Sequence, residues 1–474
     1  MSFTQTNFKI KLCFTLLPII ALTIFLFGPL SIKANSSITI DTPEDGATVS
    51  EETVRLSGTY ANAYDIKLYI NGESQVDVIT EDGDSDDSGT WYYDLDTNQY
   101  NGDVKINARG LDIDTRYGTW SSSITIHVDN PTASTPDVTI INPDDGASVN
   151  GKVPIKVDVE SNSSIENVQV RINMGAWQDA NKNGNHYKYI WAPAKKVDKT
   201  YSIEARAIDT NGNIGKSLTT YAKVGQGTNE QLEVKGQDRA MWIWEPETYK
   251  LLLNPNARYV LNDFAKDTET FKSDAITTLY LAVGGYAGMD IIEDDPGKLR
   301  DFIKSAHGEG FQIHAAIAGG TSPPYMGAYE VYHEHAIREM EKIINFNLSS
   351  KESEQFDGVN VDIEPYISQD FKTEYPSLQI QYLDGLVKMI ERRNVAGINL
   401  PFGPAIPKWY DSSDQAKDIT WNGNTKWLSE HVQDISDYIS IMDYRDTADG
   451  SAGIIAGAEG EIAYANAIGK ENSV

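Results

Sequence analysis

Two segments one hundred residues apart, ITIDTPEDGATVS from Ile38 and VTIINPDDGASVN from Val138, are near copies of each other. INARGLD from Ile106 and IEARAID from Ile203 repeat the correspondence at about the same distance. A period this long marks the duplication of a whole domain, since solenoid repeats are several-fold shorter. Each copy carries short alternating runs, DIKLYING (Asp65 to Gly72) and NVQVRINMG (Asn167 to Gly175), separated by Gly, Asn and Asp turns. The pattern predicts one small all-β sandwich over residues 36–129 and a second over 138–225. Polar stretches rich in Gly, Pro, Ser or Thr make 130–137 and 226–236 linkers.

From residue 237 to 474 the pattern changes. Strand-like runs AMWIW (Ala240), ITTLYLAVGG (Ile276), FQIHAAIAGG (Phe311), FDGVNVDIE (Phe356), AGINLPFGPA (Ala396) and YISIMDY (Tyr438) alternate with amphipathic segments such as PGKLRDFIKSAHGEG and YHEHAIREMEKIINF. Repeated strand–helix units predict a parallel sheet with helices outside it, best accommodated by an α/β (TIM-type) barrel. Six strands are counted and a seventh is expected near Asn472 to Val474, so the expectation is a barrel C-terminally incomplete after about six strands. An open six-stranded α/β sheet is the alternative.

Residues 1–35 place Lys9 and Lys11 before an uncharged apolar run and small residues near Ala34, which reads as a signal peptide or an N-terminal anchor. The single cysteine, Cys13, lies inside that run, which excludes disulfides and cysteine metal sites from the rest of the chain. With 69 acidic against 40 basic residues the net charge is −29. Such a surface repels nucleic acid and anionic lipid, leaving neutral sugars or cations as partners and the anchor as the one route to a membrane. The expected location is secreted or cell-surface associated, with no cofactor.

The stretch FDGVNVDIEPY, Phe356 to Tyr366, is the chemical centre of the sequence. Alternation puts Val359, Val361 and Ile363 on one face of a strand and Asn360, Asp362 and Glu364 on the other. In a barrel the polar set points inward, with Glu364 at the rim. Carboxylates this close cannot all ionise cheaply, so one keeps its proton at neutral pH. A protonated Glu364 beside an ionised Asp362 is what a general acid needs to protonate a leaving glycosidic oxygen. The competing reading pairs these acids with buried Arg or Lys, or with a structural cation.

The segments I-x-x-P-x-D/E-G-x-x-V and A-R-A-x-D-x-x-G-N resemble those of bacterial immunoglobulin-like domains. The later half is similar to family 18 glycoside hydrolases, which carry D-x-x-D-x-D-x-E on barrel strand four; here the residues are Asp357, Asn360, Asp362 and Glu364. Their sixth strands carry M-x-Y-D or M-x-Y-N, where this chain has Met442-Asp443-Tyr444-Arg445, and Ile317-Ala318-Gly319-Gly320 stands for S-x-G-G. The resemblance implies that Glu364 is the acid/base, that Asp362 orients a substrate acetamido group whose carbonyl attacks the anomeric carbon, and that Tyr444 bonds the acetamido oxygen. Asp357, Asn360 and Met442 then support the site. Asn360 and Arg445 depart from the pattern, which turns attention to other sugars and to a non-catalytic carbohydrate-binding or adhesin-like surface protein. A second reading follows from IEP, which resembles the N-E-P ending of strand four in retaining glycosidases that take a nucleophile from strand seven.

Trp244, Glu245, Trp409, Tyr410 and Arg445 are the candidate substrate-binding residues, since aromatic faces stack on sugars while polar neighbours take hydroxyls; Trp242 is assigned to the core. The expected partner is a polysaccharide or cell-wall glycan, containing N-acetylglucosamine on the family 18 reading. Three further motifs are set aside. His333 and His335 open a helix, where residues two apart diverge; EDGDSDDSG (Glu81 to Gly89) lacks the calcium-loop Gly and Glu; and DTNGN (Asp209 to Asn213) is turn chemistry. No metal site is expected.

Overall fold

The computed structural model describes residues 36–474, apart from 72, 76–77, 82–86, 98–99, 112–117, 131–134, 195–197, 238, 287–288 and 322–323. The signal or anchor segment, most of the acidic EDGDSDDSG loop and half of the first linker lie outside the described residues. Among the described residues no helix is long and apolar enough to cross a membrane.

Strict alternation builds the first half. Thr53–Ala61 and Asp65–Ile70 bury every second residue, Val54, Leu56, Tyr60, Ile66, Leu68 and Ile70 among them. These close around Trp91, whose Nε1 donates to the Thr39 carbonyl at 2.9 Å. The second copy repeats the scheme around Ile155, Val157, Val170, Trp191 and Ile203. The strand order is the same in both, a four-stranded sheet packed on a larger sheet in which an N-terminal strand pairs in parallel with the last strand. The duplication seen in the sequence is therefore a duplication of topology. Asp209 accepts from the amides of Asn211 and Asn213 at 2.9 Å each, the turn role expected for DTNGN.

The second half has six parallel strands, Ala240–Ile243, Thr278–Ala282, Gln312–Ile317, Gly358–Val361, Phe402–Pro407 and Ser440–Met442, hydrogen-bonded in that sequential order. A doubly wound sheet reverses its strand order at a switch point. Here there is no reversal, so right-handed crossovers place all helices on one face and the sheet curls into a partial barrel. Beside the sixth strand, Ile439 N donates to Ser473 O at 2.7 Å.

Leu279, Leu281, Ile313, Val359, Val361 and Ile406 face outward into the helix-covered core. The inner face is filled by Trp242, Tyr280, His314, Asn360 and Tyr438. Tyr438 lies directly on Gly403, where an added Cβ would stand 2.1 Å from its ring. Two strands differ from the sequence expectation. The helix Ser377–Ala396 runs through the start of AGINLPFGPA and is stopped by Gly397 at φ 68°, so the fifth strand begins at Phe402. The fourth strand ends at Val361, which leaves Asp362 and Glu364 just beyond it.

The second sandwich is fastened to the partial barrel. Arg171 forks onto Glu204 and onto Glu293 with N–O distances of 2.7 and 2.8 Å, and Tyr221 is wholly buried within the barrel's core cluster.

Candidate functional site

Parallel strands point their C-terminal ends at one rim, which is where barrel sites are built. Asn360 is the last inward residue of the fourth strand and is fully buried. Its Oδ1 accepts from Trp242 Nε1 at 3.0 Å, and its Nδ2 donates to Gly403 O and Ser440 Oγ at 3.1 Å each. Asn360 ties four strands together inside the barrel, and Trp242 is core as assigned.

Asp362 and Glu364 follow at the rim. Burial, then the neighbouring charges of Glu364 and Glu245, push the Asp362 carboxyl up to about 7. The sequence reading put the retained proton on Glu364; the carboxyl raised by its surroundings is Asp362. Its Oδ1 is shielded and meets no hydrogen-bond partner among the described residues. Glu364 begins the 3-10 turn Pro365–Ile367, and its Oε1 accepts a short hydrogen bond from the Tyr366 hydroxyl. Burial and the adjoining carboxylates raise the Tyr366 hydroxyl, so it stays a donor. Tyr366 also reaches Met442 Sδ at 4.0 Å, which brings the sixth strand to the same place.

Glu245 opens the helix Glu245–Leu253 after the first strand, and Trp244 caps it with 44% of its surface exposed. Glu339, from the helix His333–Ser349, is a fourth carboxyl. Desolvation raises it and Glu245 adds repulsion, while the amides of Gly320 and Gly319 and the Lys342 charge oppose the shift. Three elements thus bring Glu245, Asp362, Glu364 and Glu339 into one electrostatic neighbourhood. Trp409 sets its ring at 79° to Tyr366, centroids 5.3 Å apart.

Other expected members lie elsewhere. Asp357 sits at the opposite end of the fourth strand, accepting from Ile313 N and His307 Nε2 at 2.8 Å each, and it is structural. Tyr410 is 1% exposed and stacked on Phe371, so it belongs to the core and cannot stack on a ligand. Tyr444 is 79% exposed. Arg445 pairs with Asp443 at 3.5 Å rather than facing the carboxylates. His333 is buried and satisfied by Lys388 Nζ at 3.0 Å, and among the described residues no cluster of three or more His, Asp or Glu is arranged to hold a metal.

Tyr366 and Glu339 were missed. Tyr366 had a local signal, an aromatic hydroxyl two residues after the acid; Glu339 had none, because its neighbours come from a distant strand end. Two cavities of about 220 and 320 Å³ occur where the second sandwich meets the barrel, and none of the four carboxylates lines either.

A family model described as Bacterial Ig domain matches residues 136–205, from the end of the first linker through most of the second repeat. No curated protein matches the chain. Among solved structures, the fibronectin(III)-like modules of Clostridium thermocellum CbhA align at 16% identity over 42% of this chain and 100% of theirs, TM-score 0.18. A GH18 chitinase from Cycas revoluta in complex with (GlcNAc)3 aligns at 10% identity over 48% of this chain and 64% of its own, TM-score 0.30. A modular endo-beta-1,4-mannanase from Cellulomonas fimi, of glycoside hydrolase family 26, aligns at 22% identity over 20% of each chain, TM-score 0.16.

Proposed function

We propose that the chain is a secreted or cell-surface glycoside hydrolase whose partial barrel cleaves a β-linked polysaccharide containing N-acetylglucosamine, with Glu364 as general acid/base. The observation that carries this reading is the rim pair Asp362 and Glu364. One carboxyl is pushed up to about 7 and the other is oriented by a tyrosine hydroxyl, with Glu245 adding to the field. A pair that holds one proton near neutral pH is suited to donate it to a glycosidic oxygen and to take one back from water.

In the sequence of events that the strand-four resemblance implies, the proton that the pair holds passes from Asp362 to Glu364, which delivers it to the leaving oxygen while the substrate's acetamido carbonyl attacks the anomeric carbon. Asp362 holds the acetamido N–H. Water then opens the intermediate, with Glu364 as base, and configuration is retained. Trp244 and Trp409 are the aromatic surfaces best placed for sugar rings.

The test is release of new reducing ends from chitin oligosaccharides and from peptidoglycan by the full chain and by Glu364→Gln. Turnover abolished in Glu364→Gln with binding kept supports the assignment, and undiminished turnover rejects it. The second reading, a carbohydrate-binding or adhesin-like surface protein, is favoured by Asn360, which is committed to structural hydrogen bonds. Binding without cleavage selects it.

A further inference from the structure

The first sandwich meets the barrel at Tyr325 and Tyr329. In the sandwich strand Gly102–Leu111, Asn107 is 1% exposed and donates Nδ2 to the Tyr325 hydroxyl at 2.9 Å. Trp120 meets the same ring edge-on, centroids 5.7 Å apart at 89°. Lys105 Nζ stands 3.9 Å from the centroid of the Tyr329 ring. The charges facing Lys105 include Asp370 and Glu374, from the segment that follows Glu364, and Asp45 from its own sandwich.

Tyr325 and Tyr329 pass the contact on. The Tyr329 hydroxyl donates to Asp370 Oδ2 at 2.6 Å and accepts from Ser368 Oγ at 2.7 Å, just past the turn Pro365–Ile367. The 3-10 turn Pro324–Ala328 presents Gly327 to Gly319, and both lie against Ile363, between Asp362 and Glu364. Gly319 has φ 79°, and a Cβ there would stand 2.9 Å from Ile363, so the fit leaves no slack. Buried aromatic, cation–π and hydrogen-bond contacts converge from one domain on a short segment of another.

We propose that Lys105, Asn107 and Trp120 of the first sandwich are positioning residues for the acid turn Asp362–Ile367, which makes that sandwich part of the catalytic module rather than a spacer. The catalytic half of the proposal rests on the hydrolase reading; the mechanical half does not. Misplacing a catalytic group by about 1 Å costs on the order of 100-fold in rate. Lys105→Met in the full chain is expected to lower kcat on an N-acetylglucosamine oligomer by about 10- to 100-fold with KM within about twofold, and Lys105→Arg, which keeps the cation on the ring, restores it.

Amide hydrogen exchange reads the mechanical half separately. Lys105→Met is expected to speed exchange at Ile367, Ser368 and Phe371 while the core strands of the sandwich stay protected. Should Lys105→Met not fold, Tyr329→Phe makes the same test from the other side, removing only the bonds to Ser368 and Asp370. Unchanged exchange at those amides overturns the proposal. Wild-type protein that turns over no glycan overturns the hydrolase reading, and the exchange result still decides the brace.

Discussion

The Tyr366 hydroxyl donates to Glu364 Oε1 from two residues along the same 3-10 turn. This bond occupies one carboxylate oxygen, and on the proposed reading the other meets the substrate. Tyr366→Phe removes the bond and keeps the ring against Trp409. We expect kcat to fall by about 10-fold or more, well short of the loss in Glu364→Gln, since general acid catalysis as a whole contributes about 10²–10⁴. A Tyr366→Phe variant with wild-type kcat and pH profile would show that the bond plays no part in the proposed reaction.

Asp362 and Glu461 are each pushed up to about 7, both by burial first. Glu364 and Glu245 add to the effect on Asp362, and Asp411 and Asp443 to that on Glu461. Their folded values lie above the unfolded ones, roughly 4. Between about pH 4 and pH 7 the folded state therefore holds protons that the unfolded chain has released. Stability from these groups is full below the unfolded value and is lost as pH rises to about 7. At about 1.4 kcal/mol per unit, each group accounts for at most roughly 4 kcal/mol. Asp362→Asn and Glu461→Gln should each raise Tm at pH 8 and change it little at pH 5. Equal effects at both pH values would reject the linkage.

The sheet order was legible because periodicity is a local property. Period-two runs specified the sandwiches, and strand–helix alternation specified six sequential parallel strands. What was not legible depended on chain separation. Asp357 and Glu364 share a motif eight positions long, yet the strand puts them at opposite ends, one anchored to Ile313 and His307 and the other at the rim. Trp409 and Tyr410 are adjacent, but Tyr410 turns into the core against Phe371 while Trp409 meets Tyr366. Glu339 reaches the site where Gly320 approaches its helix at His335 and the amides of Gly319 and Gly320 meet its carboxyl.

Asn360 accounts for a departure from the strand-four pattern that it resembles. Its amide gives both donors to Gly403 O and Ser440 Oγ and takes one from Trp242, so every group faces a complementary one. In Asn360→Asp a carboxylate oxygen would face the Gly403 carbonyl at 0% exposure. The lost donors and the buried charge should cost on the order of 3 kcal/mol. Denaturant midpoints at pH 7 measure this, and a stability within 0.5 kcal/mol or so of wild type would mean that the interior has room to rearrange.

Arg392 gives the most direct test of how the second sandwich is joined to the barrel. Its Nε donates to Glu341 Oε1 at 2.7 Å, its other nitrogens reach Asp145 and the Thr219 carbonyl, and its guanidinium lies 5.1 Å from the centroid of the Tyr221 ring. Glu341 has 4% of its side chain exposed and also accepts from Thr219 N at 2.9 Å, so the arginine is its main countercharge. Arg392→Met keeps the length of the side chain but strands that carboxyl, a change worth about 3–5 kcal/mol when a buried pair is broken. Because the interface is shared, the loss should fall on the coupling between domains. Scanning calorimetry is expected to show one joint transition for the second sandwich and the barrel in wild type and two separate transitions in Arg392→Met. Glu341→Gln, which keeps the acceptor and removes the stranded charge, should recover part of the coupling when combined with Arg392→Met. If the single variant melts as wild type does, the contacts of Arg392 with Asp145 and the Thr219 carbonyl are not what joins the two domains.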